Sequence, residues 1–540
     1  MEPREYQSNI IETAKDYNTL VVLPTGLGKT LIALLLAKHF LSKNPKSKIL
    51  FLAPTRPLVQ QHFDYFTENL PELYAELSLF TGKIDAKKRK ELWQVADIIF
   101  STPQCIANDL KKNRISLNQV SLLIEDECHR CLKNYDYTYI AKKFQEQSGK
   151  RILGLTASPG SNSKIIKEIC DNLSIEKVEV RQRESRDVEP YIQELKTEII
   201  KIDFPEDFQK IRAPLKELYD KKIAELRSRQ LLFGPIMKSR LLELQAKLGR
   251  QLHSGNNHFN VLRGLSVCAQ AVKIDHALEL IETQGITPVY QYFQTLFEQA
   301  RKCQSKAVAQ VIKSPQFTAA YIEITKLLNN TEHPKLDKLK EIIKEDIEKN
   351  PKAKCIVFSQ YRDSVVLITK ALNKIPGIKA KVFVGQMKKG RGNEETGLSQ
   401  KEQSEIIREF KAGEINVLVA TSIGEEGLDL PEVSCVIFYE PIPSAIRKIQ
   451  RTGRTARLKP GKLVMLMTLK TRDEAYHYAS INKERKMYSA LSTISDDMNK
   501  EQDQRAHVGN ENISEHPKNA KHFSGAQCEK EKIKTLGDFE

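Results

Sequence analysis

The sequence has little of several residue classes, and each shortage excludes a class of protein. It contains one tryptophan among 540 residues, and aromatic residues make up 7%. Its longest apolar stretch, around residues 31–41, is interrupted by Lys38 and His39, and is shorter than the roughly 18 residues of a membrane-spanning helix. The first residues, MEPREYQ, carry charge and lack the apolar core of a secretory signal. We therefore expect no membrane segment and a cytoplasmic location.

Cysteine and acidic residues are also limited. The nine cysteines are dispersed, and the closest pair, Cys128 and Cys131, has no second pair at zinc-site spacing. This spacing argues against a disulfide framework or a metal site, so we interpret the cysteines as reduced packing residues. Lys and Arg number 85 against 69 Asp and Glu, for a net charge of +16. Such an excess suits a polyanionic partner, although charge alone is equally explained by solubility.

The chain contains two series of short apolar, β-branched runs, each followed by a polar loop and a helical pattern. This rhythm is typical of parallel βαβ units, so we predict an α/β fold with two parallel-sheet domains. The first series comprises residues 20–23, 49–53, 97–101, 122–125 and 152–156, and the second comprises 355–359, 380–384, 417–421, 435–439 and 463–468. In open parallel sheets, ligands bind beyond the carboxyl ends of the strands, so chemistry is expected in the loops after these runs.

The segment between the two series differs from both. Residues 184–333 lack the strand rhythm and carry apolar residues at helical spacing, as at Leu215, Leu218 and Leu226, which predicts a helical insert. The predicted domains are therefore 1–180, 184–333 and 335–493. They are followed by a polar segment, 494–540, that is poor in aliphatic residues and is expected to be disordered.

The insert contains a strongly basic stretch. Within residues 221–250, eight basic residues face only two acidic ones, Glu225 and Glu243. A solvated helix face is the alternative explanation, but we favour contact with nucleic acid. The candidate contacts are Arg227, Arg229, Lys238 and Arg240.

A phosphate-binding loop follows the first strand. Its residues are Leu23, Pro24, Thr25, Gly26, Leu27, Gly28, Lys29 and Thr30. Glycines let backbone N–H groups turn toward phosphates, the following helix adds its positive N-terminus, Lys29 reaches the terminal phosphates, and the Thr30 hydroxyl can ligate Mg²⁺. The first position of the usual pattern is Leu23 rather than glycine. The sequence therefore predicts a nucleotide site for ATP.

The fourth strand ends in two adjacent carboxylates. Asp126 is expected to hold Mg²⁺ through water, and Glu127 to orient or deprotonate the attacking water. An Asp-Glu pair by itself is common at strand ends and is often structural. After an apolar strand and behind a phosphate loop, it indicates hydrolysis. His129 could connect this site to the second domain, although a core or surface role is the alternative.

The second domain supplies cations through the sequence QRTGRTAR at residues 450–457. Arg451, Arg454 and Arg457 are three residues apart, so we expect them along one side of a helix. A surface salt-bridge face is the alternative. Because phosphoryl transfer depends on charge stabilisation, Arg454 and Arg457 are the candidate arginine fingers, and Gln450 is placed with them in the catalytic set.

Together these motifs resemble those of superfamily 2 helicases over nearly the whole chain to about residue 490. The resemblance implies two RecA-like domains around the insert. It implies that Arg4 stacks on the adenine and Gln7 reads its edge, that Gly427 and Asp429 contact the nucleotide, and that Thr156 and Ser158 couple the domains. It also implies a set of nucleic-acid contacts: Thr55, Arg56, Thr81, Gly82, Thr102, Pro103, Ser359, Gln360, Gly385, Gln386 and Thr421.

Five segments are similar to those of the archaeal Hef helicases and the Fanconi anaemia group M branch: APTRPLV, FVGQ, LSQKEQ, GEEGLDLPEV and QRTGRTAR. The sequence departs from the family at two positions. Residue 128 is Cys128 where the family usually has alanine, and residue 456 is Ala456 where many relatives have glycine. The nuclease signature of full-length Hef proteins is not present, because position 490 is Ala490. We therefore expect the helicase part without the nuclease, with a nuclease or a sliding clamp as possible separate partners.

The resemblance implies an ATP- and Mg²⁺-dependent DNA helicase or translocase that acts on forked or branched DNA and on single strands, in repair and fork processing. One alternative is an RNA-duplex-dependent ATPase of the related RNA-sensor branch. Another is a scaffold that binds branched DNA without catalysis. The scaffold would be expected to have lost Lys29, Asp126 or Glu127, and all three are intact.

Overall fold

The structure is a computed structural model of the chain. It describes residues 2–71, 74–147, 150–255, 258–328, 331–385, 397–422, 430–453, 455 and 460–511. The chain divides into one compact unit, Met1–Ser495, and a second, Asp496–Glu540. In the described part, no helix has the length and apolar character needed to cross a membrane.

The first part of the chain forms a parallel sheet with helices on both faces. Its strands are β1 (Thr19–Val22), β2 (Lys48–Leu52), β3 (Leu77–Phe80), β4 (Ile98–Ser101), β5 (Val120–Asp126), β6 (Arg151–Thr156) and β7 (Lys177–Val180). Its helices are α1 (Glu5–Asp16), α2 (Lys29–Lys43), α3 (Arg56–Asn69), α4 (Ala86–Val95), α5 (Pro103–Lys111), α6 (Asp136–Gln145) and α7 (Ser163–Asn172). The strand order is β3-β4-β2-β5-β6-β1-β7, and β1, β2 and β4 are buried along their whole length, as expected of strands covered on both faces.

A second parallel sheet has the order β10-β11-β9-β12-β13-β8. Its strands are β8 (Leu195–Ile202), β9 (Cys355–Phe358), β10 (Ala380–Phe383), β11 (Val417–Ala420), β12 (Cys435–Phe438) and β13 (Gly461–Thr468). Its helices are α14 (Pro334–Lys349), α15 (Arg362–Leu372), α16 (Gln400–Ala412), α17 (Ala445–Thr452) and α18 (Arg472–Glu511). The two parallel-sheet domains predicted from the strand rhythm are therefore present.

A helical insert separates the two sheets. It consists of α8 (Glu206–Ser228), α9 (Lys238–His253), α10 (Phe259–Thr283), α11 (Ile286–Arg301), α12 (Lys306–Ile312) and α13 (Pro315–Leu327). Helix α10 carries buried residues on all sides, from Val261 to Thr283, because the other insert helices pack around it. The insert has its own apolar core, as an independently packed domain requires.

Two segments differ from the prediction. The range 184–333, predicted as the helical insert, contains the strand β8, which pairs with β13 in the second sheet. This strand alternates exposed and half-buried residues at the edge of the sheet, so it lacks the continuous apolar run of the central strands. The segment expected to be disordered from residue 494 is helical to Glu511 as part of α18, because its Glu, Gln, Lys and Arg residues favour helix. Residues 512–540 lie outside the described residues.

Candidate functional site

The predicted phosphate loop connects β1 to α2. Gly28 caps α2 with a left-handed backbone, φ 79° and ψ 35°, and a Cβ at this position would overlap Gln7 Nε2. The left-handed backbone therefore favours glycine, and a larger residue would also have to displace the end of the Gln7 side chain. Lys29 Nζ donates to the carbonyl of Leu23 at 2.8 Å, so the ammonium group lies over the loop, within reach of any phosphate held there.

Helix α1 packs directly on the loop. The Tyr6 hydroxyl and Gln7 Nε2 both donate to the carbonyl of Leu27, at 2.8 and 3.2 Å. The Arg4 guanidinium lies 5.0 Å from the centre of the Tyr191 ring. The predicted base-reading pair, Arg4 and Gln7, is thus beside the loop. The sequence analysis gave Tyr6 no role, and it missed Tyr191, which follows the predicted end of the first domain.

The acid pair lies at the carboxyl end of β5. Asp126 is its last residue, and the Tyr137 hydroxyl donates to the Asp126 carbonyl at 2.7 Å. Glu127 has a left-handed backbone, with φ 51°, and precedes a short 3₁₀ helix, Cys128–Arg130. A non-glycine residue in this conformation is uncommon and marks a constrained turn. The turn sets the direction of the Glu127 side chain relative to Asp126.

His62 on α3 joins Asp126 to the phosphate loop, and sequence reasoning did not identify it. Its Nε2 lies 2.8 Å from Asp126 Oδ2, and its Nδ1 lies 3.5 Å from Thr30 Oγ1. Burial raises the pKa of Asp126, but the charge and hydrogen bond of His62 and the charge of Lys29 outweigh it, so this pKa is below its ordinary value. The two residues predicted to hold Mg²⁺, Thr30 and Asp126, are therefore held together by one imidazole.

This contact predicts an effect of His62→Ala. Without His62 the pKa of Asp126 should rise, so the acidic limb of the pH–rate profile for ATP hydrolysis should move to higher pH, because the ionised carboxylate is needed. We expect kcat/KM to fall by about 10- to 100-fold, the usual cost of removing a residue that orients a metal ligand. The measurement is the pH profile of ATPase activity. His253→Ala, an exposed histidine on α9, serves as the control. If the rate instead fell equally at every pH and the acidic limb did not move, His62 would have only a packing role.

The predicted coupling residues form one connected path. His129 Nδ1 lies 3.3 Å from Glu127 Oε2 and 3.2 Å from Thr156 Oγ1. Thr156 Oγ1 accepts from the backbone N–H of Ser158 at 3.1 Å. The Ser158 hydroxyl in turn donates to Met487 Sδ on α18, at 2.9 Å. The path thus runs from the acid pair to a helix that follows the second sheet.

The second domain meets the phosphate loop at Gly453, the residue that caps α17. A Cβ on Gly453 would overlap Thr25 Oγ1 and would lie 2.6 Å from Thr25 Cβ. Gln450 is buried one turn earlier in the same helix. Position 453 therefore requires glycine for the second domain to approach the loop this closely.

Of the three arginines expected along one helix, Arg451 is among the described residues, and it lies in the last turn of α17, which ends at Thr452. Thr455 forms an isolated parallel bridge with Val433, and its hydroxyl donates to the Val433 carbonyl at 2.7 Å. Arg451 is fully buried, with its guanidinium 4.8 Å from the centre of the Phe358 ring, so it anchors α17 to the second sheet. The predicted site residues Gln386, Gly427, Asp429, Arg454 and Arg457 lie outside the described residues.

The predicted nucleic-acid residues of the first domain follow three adjacent strands. Thr55 and Arg56 follow β2, Thr81 and Gly82 follow β3, and Thr102 and Pro103 follow β4. Thr55 and Thr102 are the residues that precede α3 and α5, so helix N-termini open at this edge. Backbone N–H groups at helix N-termini are suited to phosphate contact. Beside them, a cleft of about 870 Å³ between α3 and α16 reaches Thr30 and Arg56.

In the second domain the corresponding residues also follow adjacent strands. Gln360 follows β9, Gly385 follows β10, and Thr421 follows β11. Ser359 is fully buried, and its hydroxyl donates to Gln284 Oε1 of the insert at 3.3 Å. In this structure Ser359 therefore joins the second sheet to the insert and faces no open surface.

The four basic residues singled out in the insert are all engaged within the protein. Arg227 donates to the Gly234 carbonyl at 3.2 Å, and Arg240 to the Phe233 carbonyl at 3.1 Å. Arg229 lies 3.3 Å from Glu225, and Lys238 forms an ion pair with Glu279. In contrast, Lys247 and Arg250 on α9 are exposed and form no ion pair with any residue that the structure describes.

Because the second sheet reaches the phosphate loop at Gly453, nucleotide binding and the spacing of the two domains are physically linked. This is the arrangement of a two-domain ATP-driven helicase, and the comparisons with known proteins agree. Residues 1–161 match the family "Type III restriction enzyme, res subunit", residues 334–459 match "Helicase conserved C-terminal domain", and residues 207–334 match "Putative ATP-dependent RNA helicase, helical bundle".

Comparisons with individual relatives indicate which branch of the helicases the chain resembles. The chain is 42% identical to the Hef helicase domain of Pyrococcus furiosus, with a TM-score of 0.67, covering 88% of this chain and 98% of that one. It is 40% identical to the putative ATP-dependent RNA helicase MJ1505 of Methanocaldococcus jannaschii and 34% identical to the ATP-dependent DNA helicase mph1 of Neurospora crassa. These two matches cover 92% and 89% of this chain. The chain belongs to the superfamily 2 helicases of the Hef and Fanconi anaemia group M branch.

The curated relatives are longer than the region they share with this chain. The chain spans 61% of the Methanocaldococcus protein and 42% of the Neurospora protein. The first is named an RNA helicase and the second a DNA helicase. The names therefore agree on ATP-dependent helicase activity and differ on the nucleic acid.

Proposed function

We propose that this helicase acts on forked or branched DNA, where ATP hydrolysis drives unwinding or translocation along one strand. The observation that carries the substrate class is the composition of the insert. Between residues 226 and 255, six Lys or Arg residues accompany a single acidic residue, Glu243. The loops after the strands of both sheets offer backbone and hydroxyl groups, which contact phosphates without reading sequence. Lys247 and Arg250 are the exposed members of this set on α9, and they supply a means of preferring a junction outside the motor.

The ATP chemistry follows from the residues around the phosphate loop. Lys29 binds the terminal phosphates, and Glu127 orients or deprotonates the attacking water. Tyr191 and Arg4 provide a flat, cationic surface at the side of the loop where the adenine would stack, and Gln7 reads its edge. Gln450 comes from the second domain, together with Arg454 and Arg457, which the sequence assigns to transition-state charge stabilisation.

The residues present fit a Mg²⁺ ion. Oxygen donors are the ligands that this ion prefers, and the Thr30 hydroxyl and the Asp126 carboxylate are connected through His62. The lowered pKa of Asp126 keeps its carboxylate charged at neutral pH. When bound, Mg²⁺ neutralises charge on the phosphates. Thr30 and Asp126 would hold the ion in the proposed site.

A second candidate is a helicase stimulated by duplex RNA. It is supported by the name of the Methanocaldococcus relative and by the description of the family that matches the insert. DNA is favoured because the Hef and Fanconi anaemia group M branch includes proteins named DNA helicases. A nuclease or a sliding clamp on a separate chain remains a proposed partner.

The test is ATPase activity measured with forked DNA, a Holliday junction, linear duplex DNA, single-stranded DNA and duplex RNA. We expect forked DNA to stimulate hydrolysis most, single strands less, and duplex RNA least. A greater response to duplex RNA would select the second candidate. Stimulation by no nucleic acid would contradict both.

The same panel tests the insert. In the double variant Lys247→Ala/Arg250→Ala, two exposed charges are lost, so the salt dependence of fork binding, log Kd against log salt, should weaken by about two units. Single-strand-stimulated ATPase should be unchanged. The matched control is Lys374→Ala/Lys379→Ala, which removes two exposed charges of the second domain that likewise form no ion pair with any described residue. An equal effect of both pairs would mean that net charge, not the insert, governs binding.

A further inference from the structure

Two buried cysteines lie side by side at the amino ends of neighbouring strands in the second sheet. Cys355 is the first residue of β9 and Cys435 is the first residue of β12, and the two are register partners in this parallel pair. Both side chains are buried. Register partners point to the same face of a sheet, so the two sulfur atoms lie on one side. Because the cysteines are far apart in the chain, the spacing of cysteines in the sequence could not indicate this pair.

A carboxylate from a third element joins the two sulfur atoms. Asp346 lies in the last turn of α14, the helix that packs on this face of the sheet through Ile342 and Ile343. A carboxylate oxygen of Asp346 and the Sγ atoms of Cys355 and Cys435 all lie within 4.8 Å of one another. Asp346 is half-buried, so this group is closed by the sheet on one side and reached by water on the other.

The next strand places a cation beside the group. Lys462 on β13 is the register partner of Cys435, and its Nζ lies 3.3 Å from Glu198 Oε2 on the edge strand β8. Burial lowers the pKa of Lys462, but the charge of Asp346 and the charge and hydrogen bond of Glu198 outweigh it, so this pKa is raised. Two thiolates and one carboxylate around a divalent metal leave one negative charge. Lys462 is placed to balance it, as a buried charge requires.

The donor set selects the class of metal. Thiolates are soft ligands that suit Zn²⁺, whereas Mg²⁺ and Ca²⁺ prefer oxygen donors. Zn²⁺ lies about 2.3 Å from a thiolate sulfur and about 2.1 Å from a carboxylate oxygen, so the ligand atoms of a tetrahedral site are roughly 3.5 to 3.8 Å apart. The separations here, at most 4.8 Å, need only a small inward movement of the side chains. Three protein ligands leave the fourth position to a water on the Asp346 side.

We propose that Asp346, Cys355 and Cys435 form a zinc site that fastens α14 to the sheet of the second domain. The site lies at the amino ends of the strands, whereas the predicted nucleic-acid residues Gln360 and Thr421 follow the carboxyl ends. The bound ion therefore stabilises the second domain and takes no part in ATP hydrolysis. The inference is independent of the proposed function for the same reason.

Metal binding at this site has to displace protons. A hydrogen bond with Cys355 and burial raise the pKa of Cys435 well above its ordinary value, so in the metal-free protein this thiol is protonated at neutral pH. Cysteine binds metal as the thiolate. One bound ion therefore releases two protons, one from each sulfur, and no oxidant or reductant is needed. Between about pH 6 and 7.5, where an ordinary thiol is protonated, the apparent Kd should fall by about 100-fold for each unit of pH.

The experiment uses the full chain, reduced and freed of metal with a chelator, and titrates it with Co²⁺ as a coloured substitute for Zn²⁺. Co²⁺ bound to thiolate gives a sulfur-to-metal charge-transfer band in the near ultraviolet. Oxygen ligands do not give this band, so Co²⁺ at the nucleotide site is not counted. We expect one Co²⁺ per chain, loss of the band when Zn²⁺ is added, and no loss with excess Mg²⁺. Zn²⁺ should also raise the unfolding temperature, because it binds the folded state.

Variants test each ligand. Asp346→Asn keeps the size of a half-buried side chain but removes its charge, so the Kd for Co²⁺ should rise at least about 10-fold, the smallest usual cost of losing even an outer-shell partner. The band should persist at saturation, because both thiolates remain. Cys355→Ala/Cys435→Ala should lose the band altogether. Cys303→Ala removes an exposed cysteine that follows α11 and should bind Co²⁺ as the wild type does.

Four results would overturn the inference. The first is no band in the reduced wild-type chain, which would make the three side chains a hydrogen-bonded packing cluster. The second is a band that survives in the double alanine variant, which would place the thiolate ligands elsewhere. The third is an unchanged Kd in Asp346→Asn, and the fourth is a Kd that changes only about 10-fold per pH unit, as expected for one thiolate. The last two apply even if the double variant does not fold. None of them bears on stimulation of the ATPase by forked DNA, which tests the proposed function separately.

Discussion

Replacing Lys29 by alanine is expected to abolish both ATP hydrolysis and unwinding. The ammonium group lies over the phosphate loop and contributes to the charge that keeps Asp126 ionised. Removing one positioned donor from a charge-stabilising site costs on the order of 10²- to 10³-fold in rate. Because Lys29 also binds the ground-state phosphates, affinity for ATP should fall as well. The measurements are steady-state ATPase activity with forked DNA and binding of a fluorescent ATP analogue.

Glu127→Gln separates binding from chemistry at the same site. The amide keeps the size of the side chain but cannot take a proton, so the variant should bind ATP normally while kcat falls by about 10²- to 10⁴-fold. Lys43→Ala, at the exposed end of α2, controls for the loss of a lysine from the same helix. Normal turnover in either Lys29→Ala or Glu127→Gln would show that hydrolysis takes place elsewhere.

The second large effect is expected from Gly453→Ala. The added methyl group would overlap Thr25, so the second domain could not approach the phosphate loop as closely as it does in the structure. Displacing a catalytic group by about 1 Å can cost 10²-fold in rate. Nucleotide binding uses mainly the first domain, so we expect nearly unchanged ATP affinity and a fall in stimulated kcat of about 10²-fold. The comparison is kcat against the Kd for ATP.

A change at Thr25, the residue that the new methyl group would meet, tests this explanation of the Gly453→Ala effect. In Thr25→Gly the atoms that the new methyl group would meet are absent, so Thr25→Gly/Gly453→Ala should lose less activity than the sum of the two single changes. Gly249→Ala serves as the control, because a Cβ at Gly249 on α9 meets no atom within 4 Å. Weak ATP binding with a normal rate at saturation would show that Gly453 contacts the bound nucleotide and has no role in domain approach.

Part of the site can be predicted from the sequence, because the residues that form it are neighbours in the chain. In the phosphate loop, the backbone turn, the lysine and the start of the following helix occupy the eight consecutive residues 23–30. The acid pair is likewise two adjacent residues after an apolar strand. The central strands of both sheets are buried on both faces, so each appears as a continuous apolar run. The edge strand β8 has only one covered face, and its alternating pattern was assigned to the insert.

The sequence by itself determined the two parallel-sheet domains, the helical character of most of the insert, the nucleotide loop and the acid pair. Each of these depends on spacing within a short segment, which hydrophobic period and backbone chemistry reveal directly. Only the tertiary structure decided that His62 bridges Thr30 and Asp126, that Gly453 meets Thr25, and that Cys355 lies beside Cys435. These pairs are far apart in the chain. They come together through the order of strands in a sheet and the packing of whole domains, and no local pattern encodes either.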